Sequence, residues 1–341
     1  MSTTEKHRKG REKGGLTGMR SLRVLSVLFA IVVGSCSAWA QAVPTFVGVR
    51  TFLGAPYVPD IEKVQADFAV LGVPFDEGTW GQPGERYGPR EMRESSQEYN
   101  HDLTEGFYYI DGDRTTLKGK RWVDVGDVNV MPTTPSRTND LVTEAVKKIL
   151  AKRAFPIVIG GDHSITFPVV RAFDGVRLTL IHLDAHLDTW NGGPGNLDHA
   201  TWVVRTANLP QVQKIVQIGM RGIANDSEAM GNARALRNQI ITSEEIHRKG
   251  VLAALAQVSP GGNIYVSFDV DVMDPTLAPG TGTLEPGGLS FAEIDELMTG
   301  LMKKGKLVGM DVVEVNPLRD SSGRTAQTAI RLMIDMLGAA F

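Results

Sequence analysis

Cysteine is almost absent from this sequence of 341 residues, in which Cys36 is the only one. A single thiol cannot form a disulfide within the chain, so no disulfide framework holds the fold together. A long hydrophobic run is missing as well, because the apolar stretch at 24–33 is shorter than the ~20 residues that an ordinary membrane-spanning helix needs. We find no internal repeat and no low-complexity tract. With 42% hydrophobic residues, the chain can still bury a large core.

Excess positive charge is also missing from most of the chain. Residues 1–40 contain seven Lys or Arg and two Glu, whereas the remainder contains 29 basic and 37 acidic side chains, a formal charge of −8. A body of this sign argues against a nucleic-acid partner, because phosphates bind surfaces rich in Lys and Arg. It mildly favours a cationic substrate.

The basic N-terminus has the three parts of a signal peptide. Arg20 and Arg23 precede the apolar stretch at 24–33, and Ala38-Trp-Ala40 places small residues at the −3 and −1 positions of a cleavage site. We therefore predict that residues 1–40 are a signal peptide cleaved after Ala40. The mature chain is expected to be exported, periplasmic or secreted, without stable membrane association.

Some alternatives stay open at this end of the chain. The segment before Met19 is long for a basic leader region, so Met19 is an alternative start. An uncleaved membrane anchor is the second alternative. The third is a lipoprotein attached through Cys36, although the Val-Gly-Ser-Cys context matches that pattern poorly.

Beyond the leader, β-favouring apolar runs alternate with amphipathic segments. Residues 138–152, for example, have apolar side chains along one stripe of a helix. Predicted strands lie at 66–73, 121–130, 155–159, 177–184, 214–219, 239–242, 263–269 and 306–314. Predicted helices lie at 90–100, at 138–152, near 164–174 and 199–208, and from Ser243 (with a cap-like start), Ser290 and about Arg324. This alternation predicts an α/β fold in which residues 41–341 form a single three-layer domain around a mostly parallel sheet.

The segment from Ile181 to Asp188 is the one around which the chain is organised. It begins as a buried strand and ends in Asp184, His186 and Asp188, at alternate positions. An extended backbone places these three side chains on one side. Ionisable groups crowded at the end of an apolar strand are costly unless a cation neutralises them. Carboxylate and imidazole ligands suit Mn²⁺, Zn²⁺, iron or Ni²⁺. This motif therefore predicts a metal site, with a polar turn as the alternative.

Two more polar clusters follow predicted strands. Gly160-Gly-Asp-His-Ser164 follows the strand at 155–159, and Ser267-Phe-Asp-Val-Asp271 ends the strand at 263–269. In open α/β sheets the carboxyl ends of the strands form the ligand crevice, so we expect the clusters to meet there. The candidate ligands are too many for one catalytic ion with an open position and suit two ions bridged by carboxylates. They are His163, Asp184, His186, Asp188, Asp269 and Asp271.

In this order and in this strand context, the three motifs resemble the ureohydrolases, the family of arginase and agmatinase. The motifs are Gly-Gly-Asp-His-Ser, Asp-Ala-His-Leu-Asp and Ser-Phe-Asp-Val-Asp-Val-Met-Asp-Pro, and the resemblance extends from about Phe68 to the C-terminus. The segments 72–75, 86–89 and 278–289 look closer to agmatinase-like members than to arginase. The resemblance implies the arginase-like fold.

The resemblance also implies roles for individual residues. Asp188 would hold the attacking water and later pass on its proton, besides binding metal. His199 matches a histidine that shuttles protons, and Glu314 matches the carboxylate that pairs with the guanidinium of the substrate. Thr283 is expected to bond to the substrate as well. The resemblance also assigns the six metal ligands. Asp184 and Asp269 match the carboxylates that bridge both ions. His163 and Asp188 would complete the coordination of one ion, and His186 and Asp271 that of the other.

We therefore expect hydrolysis of a guanidino compound to urea and an amine. Two divalent cations about 3.5–4 Å apart activate water at neutral pH, which this reaction needs because a guanidinium carbon is a poor electrophile. Agmatine, giving putrescine, is the expected substrate. The expected cofactor is two Mn²⁺ ions per chain, with Ni²⁺ or another divalent ion as the alternative. We expect a homo-oligomer.

Other activities of the same family are alternatives: guanidinobutyrase, guanidinase, arginase and formiminoglutamase. A dinuclear phosphoesterase is disfavoured because Gly-Asp-His precedes Asp-Ala-His here and no Asn-His-Asp motif occurs. A non-catalytic binding protein is the remote alternative, disfavoured because every candidate ligand is present.

Two departures from the family pattern put the substrate in doubt. The usual His-Gly-Thr is His199-Ala-Thr201 here, and a usual Thr-Pro step is Thr283-Leu284. The methyl group of Ala200 can crowd the loop that shapes the substrate pocket. The fold and the metal ligands are not affected by either change.

Several polar or aromatic residues near the motifs have ordinary structural interpretations. Asp127 and Asp274 are interpreted as turn residues. His182 is interpreted as a structural histidine, because the strand count turns it away from the neighbours of Asp184. Trp190 and Trp202 fit a pocket wall and plain packing equally well.

Overall fold

The computed structural model of this chain describes residues 47–193 and 195–341. The predicted signal peptide, with Met19, Cys36 and the expected cleavage site, lies outside these residues. Within them, no helix combines the length and the apolar character needed to cross a membrane.

The core of the molecule is a parallel β-sheet. In chain order, the strands of the described residues are β1 (Phe68–Val73), β2 (Phe107–Tyr109), β3 (Arg114–Thr116), β4 (Trp122–Asp127), β5 (Phe155–Gly160), β6 (Leu178–Leu183), β7 (Val212–Met220), β8 (Gln239–Thr242), β9 (Asn263–Asp269) and β10 (Lys306–Val313). Eight of them form one sheet in the order β4-β1-β5-β10-β9-β6-β7-β8, and all neighbours are parallel. The predicted sheet is thus confirmed.

The small antiparallel hairpin of β2 and β3 was not predicted. Each of its strands has three residues, which is too short to show a clear alternation of apolar and polar side chains.

Helices follow most strands of the sheet. Those in the described residues are α1 (Gly88–Ser95), α2 (Pro135–Ala151), α3 (Thr166–Arg171), α4 (Trp202–Ala207), α5 (Ser227–Ala235), α6 (Ser243–Lys249), α7 (Val251–Gln257), α8 (Phe291–Leu301) and α9 (Arg324–Ala340). The helix predicted from Ser243 begins there, but its cap lies one residue earlier, since the Thr242 hydroxyl accepts the Glu245 N–H at 3.2 Å. Ser290 and Glu293 form a capping box at the start of α8.

Apolar side chains cover both faces of the sheet. Along β1, Phe68 and Val70 belong to one core, together with residues of α8 and α9, whereas Ala69 and Leu71 belong to another, with residues of α2 and α3. This alternation is the two-residue period of a strand buried on both sides. The result is the predicted three-layer arrangement of helices, sheet and helices.

Strand register determines which residues meet at the carboxyl edge of the sheet. Leu183 of β6 pairs with Phe268 of β9, so Asp184 and Asp269 follow side by side. Asp269 in turn pairs with Val313 of β10, which places Glu314 one step beyond it. The central strands β5, β10, β9 and β6 therefore deliver the sequence motifs to one place.

Asp127 lies away from this place. It accepts a hydrogen bond from Arg93 at 2.7 Å, while Asp124 binds the same guanidinium through both of its oxygens. This ion pair ties α1 to the edge strand β4, in agreement with a structural interpretation of Asp127.

Candidate active site

All of the predicted metal ligands lie together beyond the ends of β5, β6 and β9. His163 is the centre of one group. Its Nδ1 atom lies 3.0 Å from Asp184 Oδ2, 3.0 Å from Asp269 Oδ2 and 3.3 Å from Asp188 Oδ2. Although these carboxylate oxygens are close, this nitrogen has no hydrogen-bond partner among the described residues. Ligand atoms that converge in this way are arranged for a shared cation and not for one another.

A chain of hydrogen bonds fixes the tautomer of His163. The Ser267 hydroxyl donates to Asp311 Oδ1 at 2.7 Å, so it accepts from His163 Nε2 at 2.8 Å. Asp311 Oδ2 also accepts from the Tyr265 hydroxyl at 2.6 Å. With its proton on Nε2, the imidazole presents an Nδ1 lone pair to the carboxylates, which is the state that metal binding requires.

His186 is the centre of the second group. Its Nδ1 atom lies 2.9 Å from Asp271 Oδ2 and 3.3 Å from Asp184 Oδ1. Asp184 therefore faces His163 with one oxygen and His186 with the other. The ligand atoms of His163, His182, Asp184 and Asp188, and those of Asp184, His186 and Asp271, form two groups with the spacing of a metal site. A carboxylate shared in this way is what a bridging ligand needs.

The electrostatics of the site favour bound cations. Four carboxylates, those of Asp184, Asp188, Asp269 and Asp271, are buried or nearly buried within a few ångströms of one another. Burial, and then the charges of Asp271 and Asp184, raise the pKa of Asp269 well above its usual value. Burial and the charge of Asp184 do the same to the pKa of Asp188. A formal charge of −4 matches two divalent cations, so the donor set fits such ions.

His182 contacts the site, contrary to the expectation that it faces away. Its Nε2 atom lies 2.7 Å from Asp184 Oδ2, and its Nδ1 atom accepts from the Gln217 amide at 3.1 Å. Residues 182 and 184 are two apart, so the two-residue period of the strand places both side chains on one face. Burial lowers the pKa of His182 to about 4, which keeps the ring neutral and consistent with a supporting role.

Glu314 lies beside this carboxylate–imidazole cluster, just after the end of β10. Its Oε1 atom accepts a hydrogen bond from the backbone N–H of His163 at 2.8 Å and lies 3.2 Å from His199 Nδ1. Its Oε2 atom is buried and finds no hydrogen-bond partner among the described residues. Glu314 has a φ of 64°, a left-handed backbone that costs free energy for a residue with a side chain and persists where the surrounding structure holds it. An unpaired buried carboxylate oxygen needs a donor, and a bound substrate can provide it.

Two further buried acids surround Glu314, and sequence reasoning missed both. Burial and the charge of Glu314 raise the pKa of Glu85 to about 7, and the pKa of Asp162 also to about 7. Glu85 accepts from the Asn316 amide at 2.9 Å, and Asp162 accepts from the Gly78 N–H at 2.7 Å. An acid in a Gly-rich loop, as Glu85 is, gives no sequence signal of its own. Together these acids make the region attractive to a cationic group.

Two opposing effects act on the pKa of His199. Burial lowers its pKa, but the hydrogen bond to Glu314 and the nearby carboxylates raise it more, to about 9. The backbone N–H of Trp80, however, donates to His199 Nε2 at 3.1 Å, which requires a neutral ring. This geometry therefore corresponds to the neutral form, and divalent cations bound nearby would lower the pKa from its raised value. A histidine that gains and loses a proton easily is suited to proton transfer.

A cavity of about 300 Å³ opens above these groups. The indole rings of Trp80 and Trp190 meet edge to face at 5.1 Å between centroids and form part of its wall. Thr283 and Ala200 line it as well, whereas Leu284 does not reach it and is exposed. Trp190 is therefore a pocket residue, and Trp80 is one that sequence reasoning missed.

The fold and the site together define a class of protein: an α/β protein with a carboxylate–imidazole cluster that could hold metal ions at the carboxyl edge of a parallel sheet. Comparisons with known proteins agree. Residues 66–338 match the model of the arginase family. Guanidinopropionase of Pseudomonas aeruginosa is 35% identical over 309 residues, covering 87% of this chain and 93% of its own. Mitochondrial agmatinase of Gallus gallus is 34% identical over 307 residues, covering 87% of each.

A solved structure agrees as well. The crystal structure of a hypothetical agmatinase from Burkholderia thailandensis has a TM-score of 0.76 and 31% identity, covering 86% of this chain and 91% of that one. The chain belongs to the arginase family, and it is a guanidino hydrolase, acting on the C–N bonds of linear amidines.

Proposed function

We propose that this protein is a dinuclear-metal amidinohydrolase that converts agmatine to putrescine and urea. The observation that carries the metal assignment is the position of Asp184 between two histidines, with a formal charge of −4 around it. His163 and Asp188 would hold one ion, His186 and Asp271 the other, and Asp184 and Asp269 both. We propose manganese as the physiological metal, with nickel as the alternative. When bound, the ions supply an activated water molecule at neutral pH.

The residues of the chain bind and orient the substrate. The guanidinium group would donate to the free Oε2 atom of Glu314, whose other oxygen is already held by the His163 N–H. A charge-assisted pair of this kind is geometrically specific, because guanidinium donors are fixed in one plane. His199, held to the same carboxylate at 3.2 Å, would take up the proton that the attacking water releases through Asp188 and pass it to the departing amine.

The tail of the substrate would lie along the cavity wall that the two tryptophans form. The names of the relatives divide between a guanidinopropionase and an agmatinase, so they do not decide the charge of the tail. The cavity wall favours a cation: among the described residues that line it there is no Lys or Arg to pair with a carboxylate. The faces of Trp80 and Trp190 can instead attract an ammonium group, by about 1–2 kcal/mol when it is desolvated.

The test is a urea-release assay over agmatine, 4-guanidinobutyrate, 3-guanidinopropionate, arginine and guanidine, with Mn²⁺ and Ni²⁺ supplied separately. Agmatine and guanidinobutyrate form the matched pair, since they differ mainly in the charge of the tail. We expect kcat/KM for agmatine to exceed that for guanidinobutyrate by at least ~10-fold, which is about 1.4 kcal/mol. Trp190→Leu, which keeps an apolar wall but removes the π face, should reduce this preference. If urea is released only from 4-guanidinobutyrate, 3-guanidinopropionate or guanidine, the assignment of a cationic tail is wrong.

A further inference from the structure

Trp202 is not a plain packing residue. It begins helix α4, its side chain is fully buried, and its indole N–H donates to Asp188 Oδ2 at 2.7 Å. That oxygen is the one that lies 3.3 Å from His163 Nδ1. The next residue of the helix, Val203, donates its backbone N–H to the Asp188 carbonyl at 3.3 Å. The first turn of α4 thus holds Asp188 by both its main chain and its side chain.

Asp188 needs such support because its backbone is strained. Its φ of 49° lies in the left-handed region, which is strained for a residue with a side chain and persists only where the surroundings hold it in place. Because the backbone leaves the extended conformation here, the regular alternation of a strand does not direct this carboxylate toward His163. The two hydrogen bonds from α4 provide that direction.

The ring of Trp202 also orients His163. The indole is stacked on the imidazole with 4.5 Å between centroids and 26° between planes. The same indole meets His182 edge to face at 4.9 Å, and His182 meets His163 edge to face at 4.9 Å. Together with the bond from His163 Nε2 to Ser267, the stack leaves the imidazole one orientation.

We propose that Trp202 is a positioning residue of the metal site, which holds Asp188 and His163 in the geometry required to bind one of the two ions. The proposal rests on the proposed function in that Asp188 and His163 are taken as ligands. An indole N–H is suited to this task because it restrains a carboxylate without bringing a positive charge that would repel the cation. A lysine or arginine at this position would compete with the metal.

The chain offers a matched control in Trp122. Trp122 is also buried, in β4, and packs on Phe68 at 4.4 Å between centroids. Its indole nitrogen has no hydrogen-bond partner in the part of the chain that the structure describes. Trp122→Phe and Trp202→Phe therefore remove the same atoms from a buried aromatic residue, but only the second removes a hydrogen bond to a proposed ligand.

The experiment measures Mn²⁺ affinity of the full-length protein by competition with a chromophoric chelator, together with bound metal after dialysis. We expect Trp202→Phe to bind one of its two ions ~10–100-fold more weakly, the usual effect of losing a group that supports a ligand. Trp122→Phe should keep both affinities within ~2-fold. Equal affinities in Trp202→Phe and wild type, or equal losses in the two variants, would overturn the proposal.

A second measurement does not depend on the folding of Trp202→Phe. In the ¹⁵N-tryptophan spectrum, Asp188→Asn removes the charged acceptor and keeps every indole, so it should shift one indole N–H resonance strongly and leave the others in place. No shifted indole resonance would also overturn the proposal. The function is tested separately: if wild type releases no urea but Trp202→Phe weakens Mn²⁺ binding, the positioning role holds and the reaction is wrong. If wild type releases urea but Trp202→Phe binds Mn²⁺ as tightly as wild type, only the positioning role is rejected.

Discussion

The bridging role of Asp269 can be tested by Asp269→Asn, which keeps the volume of the side chain and removes its charge. Asp269 Oδ1 accepts the Asp271 N–H at 2.8 Å, a bond that the amide oxygen can retain. Oδ2, which lies 3.0 Å from His163 Nδ1, would become an amide NH₂ with no lone pair for a cation. The change is therefore confined to the metal-facing atom.

The expected size of the effect follows from the charge of the site. Four carboxylates carry −4 and balance two divalent ions, whereas three leave an uncompensated positive charge in a buried site. Loss of a group that merely supports a ligand costs ~10–100-fold in metal affinity, so loss of a bridging ligand should cost more than ~100-fold, or about 2.8 kcal/mol, for at least one ion. Urea release should fall to near zero.

Stability should change in the opposite direction. Because burial and neighbouring carboxylates already raise the pKa of Asp269, the metal-free protein gains from losing one of these charges. We expect the metal-free Asp269→Asn protein to melt at the wild-type temperature or above it, by circular dichroism. A loss of metal can then not be attributed to unfolding.

Asp274→Asn is the matched control. Asp274 lies nearby but accepts from the Thr276 N–H and hydroxyl at 3.0 and 2.7 Å, within its own turn. This variant should keep both ions and most of the activity. Metal analysis that finds two tightly bound ions in Asp269→Asn, with urea release near wild type, would refute the dinuclear assignment as drawn.

Two more predictions concern His199 and the N-terminus. His199→Asn should lower turnover by ~10²–10⁴-fold, the usual contribution of a general acid or base, while two metals stay bound by metal analysis; loss of metal would make His199 a ligand. If the protein is exported, the form isolated from its native cells should begin at Gln41. Intact-mass measurement checks this, and retention of residues 1–40 would contradict it.

Much of the fold follows from local sequence patterns. Strands such as β9 were predicted at their observed bounds because a buried strand is a short apolar run, a property of adjacent residues. The stripe of α2, with Val142, Val146 and Ile149 buried, is equally local. The candidate metal ligands could be predicted for the same reason, since acids and histidines at alternate positions after such a run are unusual.

What the sequence could not determine is which motif lies beside which. The chain order of the central strands is β5, β6, β9, β10, but their order in the sheet is β5, β10, β9, β6. Glu314, far along the chain, is thereby brought against His163, with its N–H donating to Gly161 at 2.9 Å. Strand order depends on how whole faces pack, and no local pattern encodes it.

Side-chain direction at the site was also decided by the tertiary structure. Asp188 and Glu314 leave the regular strand conformation for a left-handed one, so the two-residue period no longer tells where their carboxylates point. Trp202 could not be distinguished from a packing residue, because its indole proton finds its acceptor only when α4 docks against the end of β6. The sequence by itself determined the strands and the chemistry at their ends. The packing of the sheet determined which groups lie together at the candidate metal site, because that depends on contacts between residues far apart in the chain.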